Sequence, residues 1–240
     1  MIDPAVVHIP VVLDLAATGA GALTGGLMAV RARLPTAAVV GVALANGFGG
    51  GLLRDVLLGK TPPVALQQAR YIFVAGMCAL VCVFAASIVR RLGIMVLVVD
   101  ALGTALFGTV GAAIALSAGL GPLPAILVGS LNAIGGGLLR DLIAGFQPDL
   151  AKPGPITSSA GVLTAVVFVS LAHGFEMTVG VAQLIAITMG VAVRLVAEWK
   201  GVEMPLPYDV PERLLRRQGS GSRPRRRMQR RPPGGPSPSI

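Results

Sequence analysis

Seven runs of mostly apolar residues dominate this chain, at approximately 11–30, 37–58, 70–89, 94–117, 122–143, 156–173 and 179–198. Each is close to the roughly 20 residues that a helix needs to cross a bilayer's hydrocarbon core. The runs lack the period-two alternation of a half-buried strand, and an open sheet cannot sit in lipid with its edges unpaired. The sequence therefore predicts an all-α, polytopic membrane protein with seven transmembrane helices. The composition agrees: of 240 residues, 54% are hydrophobic and 13% charged, against about 25% charged in an ordinary soluble domain. A soluble enzyme of usual composition is excluded.

The net charge of +9 sits at odds with so apolar a chain until the charges are located. Residues 200–240 hold ten of the 20 Lys/Arg and three of the 11 Asp/Glu, hence +7 of the total. That segment is rich in Pro, Gly, Ser and Arg, and residues 201–240 read as a disordered basic cytoplasmic tail with weak attraction for anionic lipid. Nucleic acid is not an expected partner, because the body is nearly neutral. Alternate loops sort the remaining charges. Arg31, Arg33, Arg90, Arg91, Lys152 and the tail share one side, while Lys60 and Arg70 lie on the other. The positive-inside rule places the C-terminus in the cytoplasm and the N-terminus outside, in a cell membrane. Trp199 reads as an interfacial anchor, and His8 and His173 as residues near span ends. Cys78 and Cys82 read as packing residues.

Shifted by 86 residues, the sequence matches itself. The block from Asn46 to Pro62 contains Gly49-Gly50-Gly51-Leu-Leu-Arg54-Asp55, and the block from Asn132 to Pro148 contains Gly135-Gly136-Gly137-Leu-Leu-Arg140-Asp141; ten of the 17 positions are identical. The same shift pairs Asp14 with Asp100 and Thr18 with Thr104. Three spans separate the copies, so the second enters from the opposite face. This is an inverted-topology repeat of the kind found in many transport proteins. The organisation that follows is an external N-terminal segment 1–10, a three-helix repeat 11–93, an inverted three-helix repeat 94–177, a seventh helix 178–200, and the tail.

The chemistry concentrates in the doubled block. Three glycines inside a span admit two readings. Without Cβ atoms, two backbones can approach closely. Alternatively the helix kinks or unwinds, which at membrane depth requires a protein-lined or wet environment, and freed carbonyls there can meet a cation. The second reading is the expectation taken forward. Arg54 and Arg140 lie about 4.5 Å beyond the last glycine along a helix axis. A charge at that depth must face protein or water. Asp14 falls on the side of Arg54 and Asp100 on the side of Arg140, with Asp55 and Asp141 as alternative partners. These pairs are either structural or gating elements beside a pore. Asn46, Asn132, Thr18, Thr104 and Ser130 are candidate lining residues.

Several constellations fail. Gly59-Lys60-Thr61 resembles the end of a phosphate loop, but Asp55 stands where that loop needs glycine. Gly19, Gly21, Gly25 and Gly26 follow no strand and read as a small-residue packing face. No Ser/His/Asp or metal-ligand set is present, so neither catalysis nor a metal or other cofactor is expected.

The two Gly-Gly-Gly-Leu-Leu-Arg-Asp blocks, the Asp14 segment and the 3 + 3 + 1 plan resemble the bacterial branch of the trimeric intracellular cation (TRIC) channels, a branch also labelled a glycine-transporter domain. The resemblance covers approximately residues 10–200. It implies a homotrimer with one pore inside each protomer, kinked second and fifth helices at the glycine triplets, and permeation of monovalent cations, chiefly K⁺. Animal members carry a Lys-based motif and bind phosphoinositide, whereas this chain carries Arg. The expected function is passive K⁺ permeation between the second and fifth helices, with Arg54 and Arg140 setting gating and local field. The alternative is a secondary transporter of a small neutral solute such as glycine.

Overall fold

The computed structural model describes residues 11–84, 93–148 and 157–201. Eight helices follow in order: α1 (Val11–Arg31), α2 (Thr36–Leu57), the short α3 (Val64–Gln67), α4 (Ala69–Phe84), α5 (Gly93–Ser117), α6 (Pro122–Ala144), α7 (Thr157–Val169) and α8 (Val179–Lys200). A π-helical turn, Ser170–Gly174, extends α7. There is no strand among the described residues. Apart from α3, these elements coincide with the seven apolar runs. Five are long and apolar enough to cross a membrane; α4 and the stretch Ser159–Gly174 are shorter. The expected third span reaches residue 89, and residues 85–89 lie outside the described set, as do the external segment 1–10 with His8 and the tail from residue 202.

Chain breakers set the boundaries. Pro122 opens α6, where its missing N–H costs nothing. Gly59 and Gly145, equivalent positions in the repeat, have φ of 67° and 71° and end α2 and α6 in the left-handed conformation, which glycine adopts without a Cβ penalty. The loop N–H groups of Lys60 and Phe146, also equivalent, then bond back to the carbonyls of Asp55 and Asp141 at 2.8 Å each.

Small residues build the interior. Ala17, Ala22, Ala29, Ala43, Ala101, Ala112 and Ala165 are among the fully buried positions, which lets helices pack closely where lipid supplies no hydrophobic drive. Large apolar side chains such as Phe73, Phe84, Leu123 and Leu184 point outward, as a lipid-facing surface requires.

The centre of the bundle is the crossing of α2 with α6. Gly49 lies against Gly136, Gly50 against the backbone of Asn132, and Gly136 against the backbone of Asn46. As α2 advances from residue 46 to 50, its contacts on α6 recede from 136 to 132, so the two copies of the block run antiparallel. The fold is thus two inverted three-helix repeats (α1, α2, α4 and α5, α6, α7) plus the seventh transmembrane helix, α8.

Unwinding at the triplets does not occur. α2 and α6 are α-helical without interruption through Gly49–Gly51 and Gly135–Gly137. The physical reason is that the glycines are consumed by close approach. A methyl on Gly136 would sit 2.5 Å from the carbonyl oxygen of Asn46, and one on Gly50 still closer to that of Asn132. The third glycines differ: a Cβ on Gly51 or Gly137 would meet only the guanidinium of its own helix's arginine, 3.7 Å away.

Candidate functional site

Two asparagines fasten the crossing to the outer helices of the core. Asn46 Nδ2 donates to the carbonyl of Gly21 at 2.6 Å, and Asn132 Nδ2 donates to the carbonyl of Phe107, the position equivalent to Gly21. Each asparagine lies against a glycine of the neighbouring helix. A Cβ on Gly25 would come 2.7 Å from Asn46 Cβ, and one on Gly111 would come 2.6 Å from Asn132 Cβ. Gly25 and Gly111 are again equivalent under the shift of 86. These asparagines therefore lock α1 to α2 and α5 to α6.

Beyond the crossing on either side lies a buried ionic cluster. At the Asp14 end, Arg54 Nη1 donates to Asp14 Oδ1 at 2.9 Å and Arg54 Nε to Asp55 Oδ1 at 2.8 Å. The Tyr71 hydroxyl donates to Asp14 Oδ2 at 2.8 Å. The second oxygen of Asp55 accepts the N–H of Val64, also at 2.8 Å, which caps the first turn of α3. Every carboxylate oxygen here is satisfied. The charge-assisted bonds offset the cost of placing ions at this depth.

At the Asp100 end, Arg140 Nε donates to Asp141 Oδ1 at 2.8 Å, matching Arg54 with Asp55. Arg140 Nη1 stands 3.7 Å from Asp100 Oδ1, longer than its counterpart. Asp100 Oδ2 instead accepts a direct bond from Nη2 of Arg194 in α8. The side chain of Asp100 retains 17% exposure, against 8% for Asp14.

A cavity of about 50 Å³ opens beside the Asp100 cluster. At roughly 10–15 Å³ per water it has room for a few waters. It is lined by Thr24 of α1, Asn46 of α2, Asp100 and Thr104 of α5, and Gly136, Gly137, Arg140 and Asp141 of α6, with Phe107 and Ile134 as apolar wall. Of the residues singled out from sequence, the remainder stand apart from it. Thr18 is buried, with its hydroxyl bonded to the carbonyl of Asp14 at 2.9 Å, and Ser130 bonds the carbonyl of Ile126 at 2.7 Å. Asn132, Gly49, Gly50, Gly51 and Gly135 belong to or adjoin the crossing, and Asp14, Arg54 and Asp55 form the opposite cluster. Cys78 and Cys82 are free thiols within α4, and Trp199 is 84% exposed near the end of α8.

Three participants escaped the sequence reading: Tyr71, Arg194 and Thr24. Arg194 carried a signal. Besides Arg54 and Arg140 it is the one Lys or Arg away from the first residue of an apolar run, where Arg70 stands, and a charge in a span marks a functional or structural partner by default. Tyr71 and Thr24 carried none, since a hydroxyl at a span's start or on a small-residue face is commonplace.

Known proteins share this organisation. A family model described as glycine transporter matches twice, over residues 11–87 and 97–173, two segments offset by the same 86 residues as the internal repeat. A UPF0126 membrane protein of Deinococcus radiodurans is 38% identical over 138 residues, covering 58% of this chain and 64% of that one; the chain thus spans just under two thirds of that relative. The inner membrane protein YadS of Escherichia coli is 27% identical over 77% of this chain and 89% of its own length. Among solved structures, the TRIC trimeric intracellular cation channel orthologue from Rhodobacter sphaeroides is 31% identical, with a TM-score of 0.73 over 79% of this chain and 97% of that one. None of these relatives is described as an enzyme. This chain is a multi-pass membrane protein and belongs to the TRIC channel family, the one whose domain is also labelled glycine transporter.

Proposed function

We propose that the protein is a passive channel for monovalent cations, chiefly K⁺, that works as a homotrimer with one conduction path inside each protomer. The observation that carries this reading is the polar cavity at the Asp100 end. Carboxylates, an amide and threonine hydroxyls there face a space fit for water, inside a bundle whose remaining interior is largely alanine and glycine. Such groups can replace part of a cation's hydration shell. The likeness to a cation channel of Rhodobacter sphaeroides adds support.

The path runs from this vestibule toward the α2–α6 crossing and the Asp14 cluster. Because the crossing leaves no room for a Cβ, conduction requires that α2 and α6 shift relative to one another, with Arg54 and Arg140 exchanging partners as they do. By the positive-inside assignment the Asp100 vestibule faces the cytoplasm and the Asp14 cluster faces outside. No organic cofactor and no nucleic acid enters this scheme, and membrane lipid surrounds the trimer.

The label of the family model favours one rival, a transporter of a small neutral solute such as glycine. Recordings from purified protein in planar bilayers under a KCl gradient separate the two. A current whose reversal potential lies on the K⁺ side of zero is the expected result. Reversal at the Cl⁻ limit contradicts the proposal, and saturable glycine uptake without current decides for the rival.

A further inference from the structure

The cavity ends at a position where the two repeats do not match. Its lining on α5 steps along the helix through Asp100, Gly103, Thr104 and Phe107, and Gly111, one turn further, already lies against Asn132 of the crossing. Phe107 and Gly21 both line the cavity and are equivalent under the shift of 86, so one repeat carries a phenyl ring where the other carries a hydrogen. The ring takes the room that the glycine leaves: a Cβ on Gly21 would come 3.0 Å from Phe107 Cε2. Phe107 is 3% exposed and belongs to a small apolar cluster with Ala17 of α1 and Ala133 of α6. Ala17 adjoins Thr18, whose hydroxyl bonds the carbonyl of Asp14. The ring thus stands between the cavity and the Asp14 cluster.

Both the ring and its seat are tied to the crossing helices. Asn132 of α6 donates to the carbonyl of Phe107 itself, and Asn46 of α2 donates to the carbonyl of Gly21. A displacement of α2 against α6 therefore carries the ring and its seat in different directions. We propose that Phe107 is the apolar gate of the conduction path: its ring, seated on Gly21, keeps the stretch between the cavity and the Asp14 cluster dry, and that stretch wets when the two asparagine-linked helix pairs part. The inference rests on the channel reading above and adds to it the residue that closes the path. An apolar constriction stops ions by excluding water, without a charge or a hydrogen bond of its own.

The test is a single-channel bilayer recording of wild type, Phe107→Ala, Phe107→Tyr and Phe168→Ala in KCl. Phe107→Ala should raise the open fraction about fivefold or more, because the dry constriction goes with the ring. Phe168 is wholly buried in a different cluster, with Ala182 and Ala186 of α8. Phe168→Ala removes the same ring from packing alone, and its open fraction should match wild type. An unchanged open fraction in Phe107→Ala, or an equal rise in Phe168→Ala, overturns the proposal. If Phe107→Ala does not fold, Phe107→Tyr decides: it keeps the ring and adds a hydroxyl that eases wetting, so the open fraction should rise about twofold, and no rise there overturns the proposal. No current from wild type or from either Phe107 variant overturns this inference and the channel reading together, whereas a conducting wild type with unchanged Phe107 variants overturns this inference alone.

Discussion

The two ends of the bundle are built from the same words and say different things. At one end Asp14 holds Arg54 at 2.9 Å and Tyr71 at 2.8 Å, with both side chains of the ion pair almost wholly buried. At the other, Asp100 stands 3.7 Å from Arg140, bonds Arg194 instead, and borders a cavity. A duplicated pair is closed in on one side and borders a cavity on the other. The difference teaches that the pair Asp–Arg within a repeat does not fix its own state; the helix that delivers a third group does. α4 delivers a neutral hydroxyl, and among the described residues Arg54 is the cation that pairs with Asp14. α8 delivers a second cation, which lies closer to Asp100 than Arg140 does.

Substitutions that unbalance the two ends should have effects of graded size. The largest falls on Arg54. Arg54→Gln takes the cation from both Asp14 and Asp55, at a cost of about 3–5 kcal/mol, whereas Arg140→Gln removes the matching bond to Asp141 but leaves Asp100 its bond to Arg194 and should cost less, about 1–3 kcal/mol. Thermal unfolding of the two variants in detergent should rank them in that order; equal losses would mean that the clusters are energetically alike.

Next comes the crossing that divides the ends. Gly50→Ala drives a methyl into the backbone of Asn132 and should destabilise by about 1–3 kcal/mol. Gly51→Ala, one residue on, meets only the Arg54 guanidinium, and the gain in helix propensity of up to about 1 kcal/mol should leave it neutral or slightly stabilised. A melting series over Gly49, Gly50, Gly51 and their partners Gly135, Gly136 and Gly137 would show two sensitive positions and one tolerant position in each triplet. Uniform tolerance would refute the close-approach role.

A smaller effect is expected from Tyr71→Phe. It removes one hydrogen bond to a carboxylate, about 1.5–3 kcal/mol in the usual range for a charged partner, and the low end applies because Asp14 keeps Arg54. Its sharper consequence is functional. With the seal at the Asp14 end weakened, the open fraction in single-channel recordings should rise, and no rise would mean that Tyr71 has no part in holding that end shut.

The sequence made a good deal of this legible, for identifiable reasons. Apolar runs of about 20 residues have one solution in lipid, so α1, α2, α5, α6 and α8 fall where hydropathy places them. The repeat carries direction as well as likeness, because an odd number of spans separates its copies. From direction alone Asp14 and Arg54 belong at one end and Asp100 and Arg140 at the other, and both pairs form. The glycine triplets were ambiguous because the same absent Cβ permits unwinding and permits contact; what resolves it is the carbonyl of Asn132 facing Gly50, a fact of the fold and not of the run. Tyr71 and Arg194 lie 57 and 94 residues from the aspartates they bond, and no local pattern encodes such a meeting.

The most direct test of the account compares the equivalent threonines, Thr18 at the sealed end and Thr104 at the vestibule. Each is replaced by cysteine in a protein whose Cys78 and Cys82 have been changed to serine and alanine, and a charged, water-soluble thiol reagent is applied during a K⁺ current recording. Thr104→Cys should react readily from the side of the Asp100 cluster and the current should fall as it does, while Thr18→Cys should stay protected until Tyr71→Phe is added. Equal reaction at both positions, or modification of Thr104→Cys with no change in current, would contradict a conduction path that is watered at one end and sealed at the other.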